Sequence, residues 1–205
     1  MVSPRPENEP ALALIEFCSI AVGFLAADAM VKKAPIARIV AGTTQPGKYL
    51  VLISGEVADV EESLATGRAV GADCVLDVVF LPHVHPAVVD VVGGARVSGE
   101  GEALGIIETR QVASTIRAAD AGVKGAQVTL RELRLADGLG GKAFCLFQGA
   151  VSDVEAAVEI GVGALSDPGQ LVRQVVIPQL HPEMVRNLNQ TTYFGRLLGR
   201  EGGEA

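Results

Sequence analysis

Three histidines are the first candidates for chemistry, because imidazole is a common metal ligand. His83 and His85 alternate in the segment LPHVHP, and His181 lies in the similar segment IPQLHP. Alternation along a strand places two imidazoles on one side, an arrangement that zinc sites use. A third ligand, such as a Cys, Asp or Glu at suitable spacing, is missing, however. We therefore favour a structural role for these histidines in a turn, and we predict no metal site.

Two carboxylates interrupt apolar segments that are typical of buried strands. Glu16 lies in ALALIEF and Glu108 in ALGIIET. Paired carboxylates can act as general acid and base, but no Ser, His or Cys is arranged with either one as a nucleophile. We therefore predict that both form structural hydrogen bonds, that catalytic residues are absent and that the protein is not an enzyme.

Composition and charge exclude other function classes. A chain of 205 residues can form one large domain or two of about 100 residues each. The formal net charge of -7 and the lack of a Lys/Arg block argue against nucleic-acid binding. The longest uncharged apolar stretch, FCSIAVGFLAA, is shorter than the about 20 residues that cross a membrane. Three cysteines without C-x-x-C spacing indicate reduced thiols, so we expect a soluble cytoplasmic protein.

The chain contains an internal repeat. Residues 11–34 align with residues 103–126 without a gap, and two further blocks follow in the same order, GKYLVLISGEVADVE with GKAFCLFQGAVSDVE and LPHVHP with IPQLHP. A repeat of this length indicates a duplicated domain. We place the first copy at residues 9–93, the second at 102–188 and a tail at 189–205, with a Gly-rich linker between the copies.

Each copy has the pattern strand, helix, strand, strand, helix, strand. This is the split βαβ order of ferredoxin-like folds. The predicted fold class is therefore α/β (α+β), with two ferredoxin-like units in tandem. In both copies a turn-prone segment that ends in Gly-Lys, TTQPGK or ADGLGGK, joins the second and third strands.

Several of these segments resemble the bacterial microcompartment (BMC) shell domain. They are GIIETRQVASTIRAADAGVKGAQVTL, GKAFCLFQGAVSDVEAAV and VIPQLHPEM. Two such domains in one chain resemble the tandem, trimer-forming class, and the first copy is most similar to the propanediol-utilisation type. The resemblance implies a homotrimer shaped as a flat pseudohexamer. It also implies that this plate tiles edge to edge with other shell proteins into a polyhedral shell around enzymes.

The resemblance also implies a central pore that the two Gly-Lys loops line. The predicted lining residues are Thr44, Gln45, Pro46, Gly138, Leu139, Gly140 and Gly141. Backbone N–H groups of the Gly-rich loop favour the passive passage of small polar metabolites. Gln45 stands where cluster-binding relatives have Cys, and an amide is a poor iron ligand. We therefore predict no iron–sulfur cluster and no other cofactor.

A second set of residues is assigned to the plate edge by the same resemblance. It comprises Lys32, Lys124, His83, His85, Gln179 and His181. The alternative for the two lysines is a solvated position at a helix C-terminus, which suits a cation. Many shell domains have Arg in the turn that here reads PHVH or PQLH, so edge contacts are expected to differ from theirs.

One alternative function stays open at the level of sequence. A soluble tandem ferredoxin-like protein could bind a small molecule, or act on one, in a cleft between the copies. The tail contains Tyr193, Phe194, Leu197 and Leu198, which could dock on a neighbouring subunit or on cargo.

Overall fold

The first domain follows the predicted order of strands and helices. The computed structural model describes residues 11–198; residues 9 and 10 of the predicted first copy and residues 199–205 of the predicted tail lie outside them. The elements of this domain are β1 (Ala11–Phe17), α1 (Ile20–Lys33), β2 (Arg38–Thr44), β3 (Lys48–Gly55), α2 (Val57–Gly71), β4 (Val75–Leu81) and α3 (Pro86–Val92). They form an antiparallel sheet of order β2-β3-β1-β4.

The second domain repeats this arrangement. Its elements are β5 (Ala103–Thr109), α4 (Val112–Gly125), β6 (Thr129–Leu135), β7 (Ala143–Gly149), α5 (Val151–Gly163), β8 (Leu171–Ile177) and α6 (Pro182–Gln190). The sheet order, β6-β7-β5-β8, is equivalent to that of the first domain. The predicted fold class, with two tandem α+β units, is therefore confirmed.

Helix starts follow local capping chemistry. The Ser19 side chain accepts a hydrogen bond from the backbone N–H of Val22 at the start of α1, as Ser does at N-caps. His85 and His181 cap α3 and α6 in the same way, since each Nδ1 accepts from a backbone N–H two residues later at 3.2 Å. A proline follows each of these histidines, and proline suits the first helical position.

Alternating residues of each sheet face two different layers. In β1, the side chains of Ala13, Ile15 and Phe17 pack on helices α1 and α2. Leu12 and Leu14 point to the opposite face, where they join α3 and the core of the second domain. The apolar core is thus continuous across the boundary between the two domains, and burial of this area stabilises both.

Each helix pair crosses at a glycine. A Cβ at Gly67 of α2 would lie 2.5 Å from the sulfur of Met30 in α1. A Cβ at the equivalent Gly161 of α5 would lie 2.8 Å from the carbonyl oxygen of Ala118 in α4. A larger side chain at either position would therefore push the helices apart.

The tail folds in part against its own second domain. A short helix, α7 (Phe194–Leu198), ends the described chain, although the sequence had not predicted one there. The guanidinium of Arg134 lies 3.6 Å from the centre of the Tyr193 ring, a cation–π contact, and Phe194 stays exposed. Among residues 11–198, no helix is long and apolar enough to cross a membrane.

Candidate functional site

The two Gly-Lys loops lie side by side in the folded chain. The hydroxyl of Thr44 donates to the carboxylate of Asp137 at 2.9 Å, and the ammonium of Lys48 donates to the carbonyl oxygen of Gly141 at 3.1 Å. A Cβ at Gly141 would lie 2.8 Å from Cδ of Pro46. The fold thus brings together the segments that the sequence assigns to one opening, while their role as a pore lining stays a prediction.

Backbone conformation explains the glycines of these loops. Gly47, Gly138, Gly140 and Gly141 all have positive φ, between 62° and 97°, a region that glycine adopts without strain. Gln45, Pro46, Gly138 and Gly140 are exposed, and Leu139 is half-buried. The exposed atoms are therefore backbone groups, the Gln45 amide and the Pro46 ring, whereas Gly141 is buried.

A buried ion pair fastens the loops to the domain boundary. The Glu16 side chain is fully buried, and its carboxylate accepts from the backbone N–H of Ala113 at 2.7 Å and from Lys48 Nζ at 3.2 Å. Lys48 also donates to the side-chain oxygen of Gln111. Burial raises the pKa of Glu16, because the nearby Lys48 and the Ala113 N–H offset only part of the cost of removing the carboxylate from water.

The predicted structural role of Glu16 fits this geometry, but its partners come from two domains. Sequence reasoning named the Gly-Lys loops and did not name Lys48 as the link between the domains. The signal was present, because each copy pairs a Glu in its first strand with a Lys that follows the loop glycines. In the second copy these residues are Glu108 and Lys142, which form a partly exposed ion pair.

A second contact joins the first domain's LPHVHP turn to α4. Lys124 donates to the carbonyl oxygen of His83 and to Asp120, and Asp120 accepts from the backbone N–H of His85 at 2.8 Å. Of the residues predicted at the plate edge, Lys124, His83 and His85 therefore lie together.

The remaining predicted edge residues do not join this group. Lys32 is exposed and pairs with Asp28 of its own helix at 2.6 Å. Gln179 and His181 are exposed in the equivalent turn of the second domain. The plate-edge role of both groups stays a prediction.

Within residues 11–198, no cluster of three or more His, Cys, Asp or Glu side chains is placed to hold a metal ion. Neither loop contains a cysteine, and Nδ1 of both His85 and His181 accepts a helix-capping hydrogen bond.

The protein family described as "BMC domain" matches this chain twice, at residues 11–84 and at residues 103–180. The chain belongs to the BMC-domain family. The two matched ranges correspond to the two domains of the structure, so the resemblance to tandem-domain members of this family is confirmed.

Relatives of this BMC-domain chain include microcompartment shell proteins that match most of its length and others that match less than half of it. It is 38% identical over 178 residues to the bacterial microcompartment shell protein PduT of Citrobacter freundii, a match that covers 87% of this chain and 97% of the relative. It is also 39% identical over 83 residues to the shell protein EutM of Salmonella typhimurium, covering 40% of this chain and 84% of that one.

A solved structure agrees with this assignment. The crystal structure of a microcompartments protein from Desulfitobacterium hafniense superimposes with a TM-score of 0.75 at 45% sequence identity, covering 86% of this chain and 98% of that chain. The tandem arrangement of BMC domains is therefore shared with a protein of nearly the same extent.

Proposed function

We propose that the protein is a non-enzymatic structural subunit of a bacterial microcompartment shell, and that three copies form a flat ring of six BMC domains around a central pore. The shell role is supported by its similarity to PduT and EutM. One observation supports the ring. The residues equivalent to those of the interface between the two domains are exposed on the outer face of each domain, where they can form the same interface with another chain.

The apolar part of this argument compares helices α1 and α4. Ile116 of α4 is fully buried against the first domain, whereas the equivalent Phe24 of α1 is 60% exposed. Helix α1 exposes further large apolar side chains, namely Ile20, Leu25 and Val31. Apolar surface of this kind marks an interaction site.

Strands show the same asymmetry. β6 is buried along most of its length next to α3, but its equivalent β2 is exposed. Val79 of β4 is fully buried and the equivalent Val175 of β8 is 42% exposed. The open faces therefore belong to α1 and β2 of the first domain and to β8 and α6 of the second.

The polar contacts repeat in the same sense. Glu108 and Lys142 have the positions of Glu16 and Lys48, so in a ring they would meet the N-terminus of α1, near Ala21, and the carbonyl oxygen of Gly47 of the next chain. Lys32 and Asp28 likewise have the positions of Lys124 and Asp120, so those of the next chain would in turn meet residues 179–181 in the second domain of the first chain.

A contact of this kind is heterologous, because the second domain of one chain meets the first domain of the next. Such contacts form a ring when the rotation closes. Three chains supply six domains, and all six then share one type of contact. The loops at residues 45–47 and 136–142, already adjacent within a chain, would alternate around the central opening.

The pore proposed here is polar. Thr44, Gln45 and Pro46 would alternate with the glycines of the second loop, and no thiolate would be present to hold an iron–sulfur cluster. Backbone N–H groups and an amide favour small polar metabolites over apolar ones. The side chains of Lys32 and Lys124 would lie at the rim, where plates contact other shell proteins.

Native mass spectrometry of the full chain tests the ring. A mass three times 21.2 kDa is expected. Glu108→Ala should weaken this trimer, because it removes the carboxylate that would accept a hydrogen bond from the N-terminus of α1 in the next chain. The matched variant Glu16→Ala removes the contact inside one chain, and should lower the stability of the chain more than its association. A stable monomer that binds one small molecule per chain would contradict the proposal and would support the ligand-binding alternative.

A further inference from the structure

Cys18 and Cys74 are neighbours in the first domain. Cys18 follows β1, and Cys74 ends the 3-10 turn Ala72–Cys74 that precedes β4. The adjacent residues Phe17 and Val75 are register partners, and the backbone N–H of Cys18 donates to the carbonyl oxygen of Cys74 at 2.8 Å. Antiparallel neighbours have Cα atoms about 4.5–5.5 Å apart, which lies within the range that a disulfide bridges.

The two thiols are also in contact and are accessible to different degrees. The Cys18 side chain forms a hydrogen bond with Cys74 and, together with partial burial, raises the pKa of the Cys74 thiol. Cys18 is exposed and Cys74 is half-buried. An incoming reagent therefore reaches the sulfur of Cys18 first, while Cys74 keeps its proton.

Cys145 provides an internal contrast. It is fully buried in β7, and burial raises its pKa to about 12. A thiol of this kind is inert, because the thiolate is the reactive form. The third cysteine of the chain is thus a built-in reference for thiol reactivity.

The second domain has the same backbone geometry without cysteines. Arg110 and Gln170 are the equivalent residues, and their backbone hydrogen bond has the same length, 2.8 Å. Arg110 remains exposed although its domain contacts the first domain of the chain. Cys18 would by equivalence remain accessible in the ring proposed above, so subunit contacts do not block it.

We propose that Cys18 and Cys74 form a reversible dithiol–disulfide site that reacts with low-molecular-weight disulfides of the glutathione class. In the first step the Cys18 thiolate attacks one sulfur of the reagent, the reagent's S–S bond breaks, and one thiolate leaves and takes up the proton that Cys18 lost. In the second step the sulfur of Cys74 attacks the sulfur of Cys18 and the second thiol leaves with the proton of Cys74.

The balance of this exchange is complete. Two protein thiols are oxidised to one disulfide, and one reagent disulfide is reduced to two thiols. The bridge ties the turn between β1 and α1 to the start of β4, and excess reductant of the same class reverses it. The site is independent of the shell role, because it uses only residues of one domain.

Thiol mapping of the full-length chain tests the site. The reduced protein is incubated with glutathione disulfide, its remaining thiols are alkylated, and peptides are identified by mass spectrometry. We expect one intramolecular disulfide between the peptides of Cys18 and Cys74, alkylation of Cys145 only after unfolding, and reversal by dithiothreitol. In Cys74→Ser, the exchange should stop with glutathione attached to Cys18, and in Cys18→Ser, Cys74 should react more slowly.

Three results would overturn the proposal. The first is recovery of free Cys18 and Cys74 after incubation with a large excess of glutathione disulfide in the absence of reductant. The second is a persistent mixed disulfide on Cys18 of the wild-type chain, since it would show that Cys74 cannot reach it. The third is a disulfide that joins two chains in place of the intramolecular one.

Discussion

At the scale of single residues, Glu16 is the most informative side chain. It is fully buried, and its two hydrogen-bond partners, Lys48 and the backbone of Ala113, belong to different domains. Burial of a carboxylate is costly unless it is paired. This residue therefore couples the fold of one domain to the position of the other.

We predict that Glu16 makes stability depend on pH. Its pKa in the folded chain is raised above the ordinary value of 4.5, so the folded chain binds this proton more tightly than the unfolded chain. The contribution is then fully present below 4.5 and is lost as the pH rises through the raised pKa. The free energy of unfolding in urea, measured from pH 4.5 upward, should decrease in the wild type relative to Glu16→Gln.

The variants at Glu16 also differ at fixed pH. Glu16→Gln keeps an oxygen that can accept from Ala113, whereas Glu16→Ala leaves this buried N–H without that partner and should cost about 1–3 kcal/mol. Equal pH profiles of the wild type and Glu16→Gln would contradict the burial argument. Equal stabilities of the Ala and Gln variants would contradict the role of the hydrogen bond.

Sequence reasoning identified Glu16 as a structural hydrogen-bonding residue, but it could not supply the partners. Ala113 lies in the second copy, and nothing in the local pattern around Glu16 indicates a contact across the repeat. Long-range contacts of this kind depend on how the two domains pack. The chemistry of single side chains is therefore readable from sequence, while their partners across domains require the fold.

At the scale of elements, helices α1 and α4 show both the reach and the limit of the sequence. The repeat predicted a helix at the same place in both copies, and the structure has α1 and α4 at equivalent positions, beginning at Ile20 and Val112. The two helices have similar sequences, yet α4 is buried and α1 is largely exposed. Their environments differ because only α4 has a domain of the same chain on its outer face.

We predict that Phe24→Asp prevents ring formation and leaves the fold intact. Phe24 is exposed in a single chain, and burial of its side chain in a ring would contribute about 1.5–3 kcal/mol per contact, whereas a buried aspartate would oppose the contact. Native mass spectrometry should show the monomer of the variant, and circular dichroism should match that of the wild type.

The control for this prediction is Ile160→Thr. Ile160 of α5 is also exposed, but its equivalent in the first copy is Thr66, so a threonine is already tolerated in this repeat position. The control should keep the trimer mass. A trimer of Phe24→Asp with the stability of the wild type would show that α1 lies outside the ring contact.

At the scale of the whole molecule, the duplication gives each chain one interface between its own two domains. It also leaves one equivalent face exposed on each domain. The interface between the two domains includes Lys124, which donates a hydrogen bond to the carbonyl oxygen of His83 in the turn of the first domain. Lys32 is the equivalent residue on the exposed face of the first domain, and among the described residues it pairs only with Asp28. Both lysine side chains remain partly exposed, 72% for Lys32 and 42% for Lys124, which the proposed contact with a further plate requires.

The last prediction concerns the association of plates into sheets. The double variant Lys32→Ala and Lys124→Ala should keep the trimer, because the exposed Lys32–Asp28 pair contributes only about 0–1 kcal/mol and the buried Asp120 keeps the His85 N–H as a donor when Lys124 is removed. It should lose lateral sheets if these lysines form the contacts between plates. Electron microscopy of the purified protein measures sheets, and native mass measures the trimer. Lys33→Ala is the matched control, since Lys33 follows Lys32 and pairs with Glu62 of its own domain at 2.8 Å. Sheets of normal extent in the double variant would place the plate contact elsewhere on the rim, whereas loss of sheets in the control would show that any exposed charge in this region matters.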